Sequence, residues 1–201
     1  MNIGVDVDGV LLDTPSFLQE YGRRFFHRAP VRADACGIRE MYGVNDLQVF
    51  FFGLRWFLPF YCRKYPPYPE AAQVYEDLRK EGHDIYQITA RSAATSKHFL
   101  GYLSRKFLIQ WLQINHFFYH VLILCDEADA PMQKLDHCLE NNVDVMIDDN
   151  PTTAQLLADH GIQVLLYDAP YNQTLQGEGI TRVKNWNEIE NIINRMENDD
   201  E

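Results

Sequence analysis

The hydrophobic positions near the start of the chain form a short run that is broken by glycines. Ile3, Val5 and Val7 are apolar, and Gly4 and Gly9 interrupt the run. β-Branched residues suit a strand that is covered on both faces. This stretch therefore predicts a buried strand of a parallel sheet.

After this strand the apolar residues follow a helical period, and helical and strand-like segments then alternate to the end of the chain. The first helix is predicted to have Thr14 as its N-cap and Pro15 as its first residue. Strands separated by helices of this length form a parallel sheet with helices on both faces, so we expect a doubly wound α/β fold. A dinucleotide-binding fold, the alternative, would carry G-x-G-x-x-G after the first strand, and this pattern is absent there. The other predicted helices cover 33–41, 46–64, 70–81, 92–113, 130–142, 151–160 and 186–196, and the later strands cover 83–89, 118–124, 143–147 and 162–167.

Two carboxylates stand at the C-terminal end of the first strand. They are Asp6 and Asp8, separated by Val7. In open α/β sheets, ligands bind at the carboxyl ends of the strands. Neighbouring acids repel each other and lose solvation on burial unless a cation offsets them, and Mg²⁺ prefers such oxygen ligands. The pattern indicates a magnesium site, and an Asp-rich turn is the alternative.

Polar residues also follow three of the later predicted strands. Thr89 ends one strand, Lys134 lies in the helix after the next, and Asp148 and Asp149 end a third. Taken singly, each has a structural explanation: a helix cap for Thr89, a solvated surface for Lys134, and an N-cap with a turn for the two acids. Their joint occurrence at successive strand ends favours one common site.

The segment 14–68 is rich in aromatic residues, with 14 of the 26 in the chain. These rings can form the core of a small helical lobe. A lobe inserted after the first strand can also act as a cap that excludes water and stacks a planar ligand group. We expect a core domain over 1–13 and 69–201 and a helical cap over 14–68. The candidates for contact with a substrate are Phe17, Tyr42, Phe51 and Trp56.

Charge and composition narrow the class of protein. The net charge of −11 argues against a nucleic-acid polymer as partner, although a local cation can still attract small anions. The four cysteines are widely separated, as in reduced intracellular proteins. The apolar run 49–62 is short and contains Arg55, and the first strand leaves no room for a signal peptide. We expect a cytoplasmic protein without a membrane partner, and the oligomeric state stays open, a homodimer included.

The acidic and polar motifs resemble those of a known family. Residues 6–10, Thr89, Lys134 and Asp148-Asp149 are similar to the four-motif signature of the haloacid dehalogenase-like (HAD) phosphohydrolases. The resemblance covers essentially the whole chain, and 14–68 stands where many members insert a cap. Within this superfamily the chain is similar to the 5′-nucleotidase group that includes the 5′(3′)-deoxyribonucleotidases. The stretches 88–91, 145–151, 171–172 and 183–186 support this subgroup.

The resemblance implies a division of roles among these residues. Asp6 would be the nucleophile that forms an aspartyl-phosphate, and Asp8 would protonate the leaving group and then take a proton from water. Mg²⁺ would be held by Asp6, the Asp8 carbonyl and Asp149. The choice between Asp149 and Asp148 as ligand stays open, with analogy favouring Asp149 and a supporting role for Asp148.

The same resemblance implies that the phosphoryl group is bound by residues of the later strand ends. The Thr89 hydroxyl and the Ala90 amide would bind phosphoryl oxygens, and Lys134 would offset the charge of Asp6 and the phosphate. Arg91 could reach the phosphate or the cap, or lie on the surface.

The predicted activity is Mg²⁺-dependent hydrolysis of a small phosphomonoester, with a nucleoside monophosphate as the first candidate. A phosphatase for sugar phosphates or another small metabolite is the main alternative, and a catalytically silent binding protein on the same fold is the second. The intact set of acids, Thr89 and Lys134 argues against a silent protein. A phosphomutase uses the same carboxylates and stays open, whereas a dehalogenase has no need of the acid at Asp8.

Overall fold

A single parallel sheet forms the centre of the molecule. The computed structural model describes residues 1–91 and 94–199. The six strands run in the order β3-β2-β1-β4-β5-β6, and every pair of neighbours is parallel. The α/β fold class predicted from the sequence is therefore confirmed. The strands are β1 (Asn2–Val5), β2 (Asp84–Thr89), β3 (Val121–Leu124), β4 (Val145–Asp148), β5 (Gln163–Tyr167) and β6 (Ile180–Val183).

Helices cover both faces of this sheet. Alternate residues of the strands contribute to two separate hydrophobic cores, so that Ile147 and Leu165 belong to one core and Met146 and Val164 to the other. This alternation is what the pleat of a doubly covered sheet requires. The helices outside the inserted segment are α5 (Ala71–Lys80), α6 (Phe99–Ile114), α7 (Ala130–Glu140), α8 (Pro151–Asp159) and α9 (Trp186–Asp199).

Strand β1 lies in the middle of the sheet, between β2 and β4. Its Ile3 and Val5 are buried, as the sequence predicts. A Cβ atom at Gly4 would lie 2.5 Å from the Met146 sulfur, so glycine permits the close approach of β4. The Asp6 amide donates to the Ile147 carbonyl at 3.0 Å, which extends the pairing past the end of β1. The first acid of the motif is thereby held rigidly at the carboxyl edge.

Four short helices and a π-helix lie between β1 and β2 in the chain. They are α1 (Thr14–Phe26), α2 (Ile38–Tyr42), α3 (Asp46–Phe52), a π-helix (Gly53–Tyr61) and α4 (Cys62–Lys64). The Phe17 ring packs against several other rings of this segment, including those of Tyr21 and Tyr61 at 4.8 and 4.5 Å between centroids. The segment returns to the core where the Tyr68 amide donates to the Leu11 carbonyl. The predicted division into core and cap stays a prediction.

Several element boundaries differ from the predicted ones. The N-cap of α1 is Asp13, whose carboxylate accepts a hydrogen bond from the Ser16 amide, and Thr14 is already helical. The helix predicted over 33–41 is confined to α2, and α6 begins at Phe99; the predicted start of α6 at Ser92 lies outside the described residues. Strand β6 was not predicted. Among the described residues, no helix is long and apolar enough to span a membrane.

Candidate active site

The ends of β1 and β4 bring three carboxylates together at the carboxyl edge of the sheet. Oxygen atoms of Asp6, Asp148 and Asp149 all lie within 4.8 Å of one another, and all three residues are buried. The two strands are neighbours in the sheet, which explains why acids that are far apart in the sequence meet here. The site predicted from successive strand ends thus has a compact acidic centre.

Lys134 supplies the cation that the acids need. Its ammonium donates to Asp6 Oδ2 at 2.8 Å and to Asp148 Oδ2 at 2.7 Å, and its side chain is only 3% exposed. Burial disfavours the charged amine, but the two carboxylates outweigh this and raise the pKa of Lys134. Lys134 is therefore a buried, charged member of the acidic centre and not a solvated surface residue.

One lysine does not neutralise three buried carboxylates. Burial raises the pKa of Asp6 to about 6, although Lys134 opposes this. Burial and the two neighbouring acids raise the pKa of Asp149 well above its usual range. A divalent cation among these oxygens would reverse both shifts, because it favours the ionised carboxylates. Closely spaced oxygen ligands with surplus negative charge fit Mg²⁺.

Asp148 and Asp149 differ in the partners of their oxygen atoms. Asp148 accepts from Lys134 through Oδ2 and from the Asn150 amide through Oδ1 at 2.8 Å. Asp149 accepts from the Tyr171 hydroxyl through Oδ2, and within the described chain Oδ1 has no hydrogen-bond donor. The Asp149 carboxylate also lies against the loop after β1, where a Cβ atom at Gly9 would come within 1.7 Å of it. Gly9 has a φ of +86°, so glycine is required there on both counts.

Thr89 ends β2 beside this centre. The residue is fully buried, and its hydroxyl has no hydrogen-bond partner among the described residues. A buried hydroxyl without a partner costs free energy, so this group is free to bind a ligand. The next residue, Ala90, lines a cavity that also reaches Asp8.

Arg91 and Tyr61 hold Asp8, and the sequence identified neither of them as a partner of Asp8. Arg91 donates to both of its oxygens, with Nη2 at 2.6 Å from Oδ1 and Nε at 3.0 Å from Oδ2. The Tyr61 hydroxyl donates to Oδ1 at 2.7 Å. The Arg91 side chain is fully buried, which rules out the surface position that the sequence left open. The sequence feature that could have indicated a role for Arg91 in the site is its position two residues after Thr89, just past the end of β2.

A cavity of about 390 Å³ lies beside Asp8. Its wall is mostly apolar. None of the four aromatic residues predicted as substrate contacts lines it: Phe17 and Tyr42 are fully buried elsewhere, Phe51 is exposed, and Trp56 is partly buried. The aromatic positions of the wall belong instead to α3 and the π-helix. The lining residues are Asp8, Thr14, Leu18, Ile38, Val49, Phe50, Phe52, Gly53, Leu54, Phe57, Leu58, Ala90, Leu100, Ser104 and Glu127.

Asn172 connects the acidic centre to the loop after β5 and to strand β6. Its side-chain amide donates to the carbonyls of Asp149 and Tyr167, both at 2.8 Å. Its side-chain oxygen accepts from the Ala169 amide and from Arg182. Apart from the family resemblance of residues 171–172, no pattern in the sequence indicated this role.

Solved structures with the same fold include proteins described as phosphatases. A protein described as a predicted phosphatase from Clostridium acetobutylicum superposes with a TM-score of 0.65 at 11% identity, covering 96% of this chain and 98% of that one. The D,D-heptose 1,7-bisphosphate phosphatase of B. bronchiseptica, solved with magnesium and phosphate, superposes with a TM-score of 0.58 at 13% identity, covering 98% and 99%. At these identities the likeness concerns the fold.

Sequence relatives are more specific. A Bacillus cereus protein described as a candidate nucleotidase is 26% identical over 207 residues, covering 97% of this chain and 99% of its own. A nucleotidase of Clostridium acetobutylicum is 24% identical over 206 residues, covering 98% and 95%. The family model described as "5′ nucleotidase, deoxy (Pyrimidine), cytosolic type C protein" matches residues 1–198. The chain therefore belongs to this 5′-nucleotidase family, and it shares its fold with solved haloacid dehalogenase-like hydrolases.

Proposed function

We propose that this enzyme is a Mg²⁺-dependent phosphomonoesterase that hydrolyses nucleoside monophosphates through an aspartyl-phosphate on Asp6. The observation that carries the proposal is the ion-paired Asp6–Lys134–Asp148 group beside the Thr89 hydroxyl, which has no hydrogen-bond partner among the described residues. A carboxylate fixed next to a cation and a free buried donor is suited to attack a phosphoryl group that those donors bind.

Two displacements at phosphorus account for the reaction. An Asp6 oxygen forms a bond to phosphorus while the bond to the ester oxygen breaks, and that oxygen takes a proton from Asp8. A water molecule then attacks the phosphorus of the aspartyl-phosphate, its proton passes to Asp8, and the bond to Asp6 breaks. Inorganic phosphate and a nucleoside are released, and Asp6 and Asp8 return to their starting states.

The phosphoryl oxygens have donors within the described residues. The Thr89 hydroxyl and the Ala90 amide stand at the end of β2, and Lys134 lies against Asp6. Fixed donors at such positions stabilise charge that develops in the transition state. The Thr89 hydroxyl supports this role most directly, because its lack of a partner within residues 1–91 and 94–199 has no structural benefit.

The carboxylates that would hold the metal are Asp6 and Asp149, together with the Asp8 carbonyl. The surplus of negative charge and the Asp149 oxygen without a donor support this ligand set. Asp148 would support the site through Lys134, since both of its oxygens accept hydrogen bonds. When bound, Mg²⁺ would offset the charge of the carboxylates and of the phosphoryl oxygens.

The apolar cavity supports a nucleoside as the organic part of the substrate. Its wall includes three phenylalanines, Phe50, Phe52 and Phe57, and it opens onto Asp8, where the leaving oxygen would be protonated. A planar base can pack against such a wall, whereas a sugar needs many hydrogen-bond partners. A phosphatase for sugar phosphates is the alternative that the experiment distinguishes.

Phosphate release from nucleoside monophosphates and from sugar phosphates is the decisive comparison. We expect a higher kcat/KM for nucleoside monophosphates, loss of activity with EDTA, and recovery with added Mg²⁺. Asp6→Asn should abolish turnover and keep the melting temperature of wild type. It should also fail to acquire the acid-stable radiolabel that wild type acquires from labelled substrate. A profile biased toward sugars would contradict the substrate, and labelling of the Asp6→Asn variant would contradict the nucleophile.

A further inference from the structure

We propose that Arg91 and Tyr61 are positioning residues that together orient the Asp8 carboxylate for proton transfer. The inference rests on the proposed function, since it concerns the group that serves there as acid and base. Asp8 accepts three hydrogen bonds, two from Arg91 and one from the Tyr61 hydroxyl, at distances of 2.6 to 3.0 Å. Both carboxylate oxygens are therefore bound by donors that belong to two different parts of the fold.

Arg91 fixes the plane of the carboxylate. Its guanidinium presents two parallel N–H groups to the two oxygens, and this forked geometry permits only one orientation of the acceptor. The side chain of Arg91 is fully buried, while that of Asp8 is 23% exposed. Arg91 is therefore enclosed by the protein, whereas Asp8 lines the cavity.

Tyr61 fixes the acid from the inserted segment. It is fully buried at the end of the π-helix, and its hydroxyl lies 2.5 Å from the Thr14 hydroxyl as well as 2.7 Å from Asp8. The Arg91 guanidinium lies over the Tyr61 ring, 5.5 Å from its centroid. Arg91 and Tyr61 therefore also contact each other. The acid is oriented only when the core strand β2 and the inserted segment are both in place.

A misoriented Asp8 slows its two proton transfers to an extent that depends on the leaving group of the substrate. Expulsion of a nucleoside alkoxide needs the proton from Asp8, whereas para-nitrophenolate leaves without one. Hydrolysis of the aspartyl-phosphate needs ionised Asp8 as base whatever the leaving group was, so with para-nitrophenyl phosphate the Asp8 proton passes to solvent before this step. A misoriented Asp8 should therefore slow both steps for a nucleoside monophosphate but only the second step for para-nitrophenyl phosphate.

This difference produces a signature in the pre-steady state. We compare wild type with Tyr61→Phe, Arg91→Lys and Arg91→Gln, using a nucleoside monophosphate and para-nitrophenyl phosphate with Mg²⁺ present. Arg91→Lys keeps the charge but cannot form the paired hydrogen bonds. Tyr65→Phe is the matched control, because Tyr65 lies in the same ring cluster, 5.6 Å from Tyr61 between centroids, whereas the tyrosine hydroxyl on Asp8 comes from Tyr61.

Tyr61→Phe and Arg91→Lys should lower kcat for the nucleoside monophosphate by about 10- to 100-fold, with KM changed little. With para-nitrophenyl phosphate they should release a burst of nitrophenolate, close to stoichiometric with enzyme, at the wild-type rate, followed by slow turnover. The phosphoenzyme should accumulate and be trapped by acid during that slow phase. Tyr65→Phe should behave like wild type with both substrates.

Several outcomes would overturn the inference. Wild-type kinetics in Tyr61→Phe and Arg91→Lys would show that the contacts to Asp8 do not matter. An equal loss of the burst rate and of nucleotide turnover would show general damage to the site and not misorientation of Asp8. If Arg91→Gln fails to fold, the other two variants still decide the matter. Wild type that hydrolyses neither substrate would remove the proposed function itself, which is a different result from an active wild type with unaffected variants.

Discussion

At the scale of a single residue, we expect the Thr89 hydroxyl to contribute to ligand binding but not to stability. It is buried and has no partner among the described residues, so removing it should not cost stability. We expect Thr89→Val, which keeps the shape of the side chain, to unfold at the same or a higher urea concentration than wild type. Its free energy of unfolding should be equal to that of wild type or higher by up to ~1 kcal/mol. The same change should lower kcat/KM by about 10-fold or more, because a donor to the phosphoryl group is lost.

Thr89→Ser is the control for this prediction, since it keeps the hydroxyl and removes only a methyl group. It should keep most of the activity. A Thr89→Val variant that is less stable but fully active would assign the hydroxyl to the structure and remove it from phosphate binding.

Residue types at strand ends predict that Asp6, Asp8, Asp148 and Asp149 share one site, but not all of its surroundings. The choice of Asp149 over Asp148 as metal ligand comes from the family resemblance and not from the residue types. Lys134 belongs to the same predicted site, yet a lone lysine is normally exposed, and its burial depends on how α7 packs against α8 and β2. Arg91 could not be assigned, because its contact with Asp8 depends on a side-chain direction that the sequence pattern does not encode.

At the scale of elements, Asn172 links the loops that follow β4 and β5 to strand β6. It donates to carbonyls after β4 and at the end of β5, and it accepts from Arg182 in β6. Asn172→Ala would leave several buried backbone groups without partners. We expect it to lower the free energy of unfolding in urea by about 2–4 kcal/mol and to lower activity, since the backbone of Asp149 loses its support.

A matched control for this prediction is Asn141→Ala. The Asn141 side chain donates to the His137 carbonyl, and the Asn141 carbonyl accepts from Asn2 at the start of β1, at the opposite edge of the sheet from the acidic centre. It should change stability only slightly and leave activity unchanged. Equal effects of the two substitutions would show that Asn172 has no special role in joining the loops.

Sequence reasoning missed β6 and placed the start of α2 five residues too early. In the part of the chain that the structure describes, β6 pairs only with β5 and has one fully buried residue, Val183, so its apolar pattern is weak. In α2, five residues form a helix that depends on its contacts with α1 and α3 more than on its own sequence. The central strands were predicted well because burial on both faces gives them continuous apolar runs.

At the scale of the whole molecule, His83 makes the stability of the fold depend on pH. It lies just before β2 and contacts Glu197 of the last helix, α9. Its side chain is fully buried, with Nδ1 at 3.2 Å from the Met1 amino group and 3.5 Å from Glu197, and Nε2 has no partner among the described residues. Burial lowers the pKa of His83 below its usual 6.5, the Met1 ammonium lowers it further, and Glu197 and Glu81 oppose this. The folded state therefore prefers the neutral imidazole.

The sign of the effect on stability follows from proton uptake. Below pH 6.5 the unfolded chain binds a proton at this histidine more readily than the folded protein does, so the free energy of unfolding should fall as the pH drops through that value. His83→Gln should flatten this part of a urea-unfolding series, whereas His120→Gln, which changes a histidine that is 57% exposed, should not. A series with the same slope in wild type and His83→Gln would mean that other groups produce the acid sensitivity. Measurement without Mg²⁺ and with Mg²⁺ separates this effect from the acidic centre, because His83 lies at the opposite edge of the sheet from Asp6, before β2 begins.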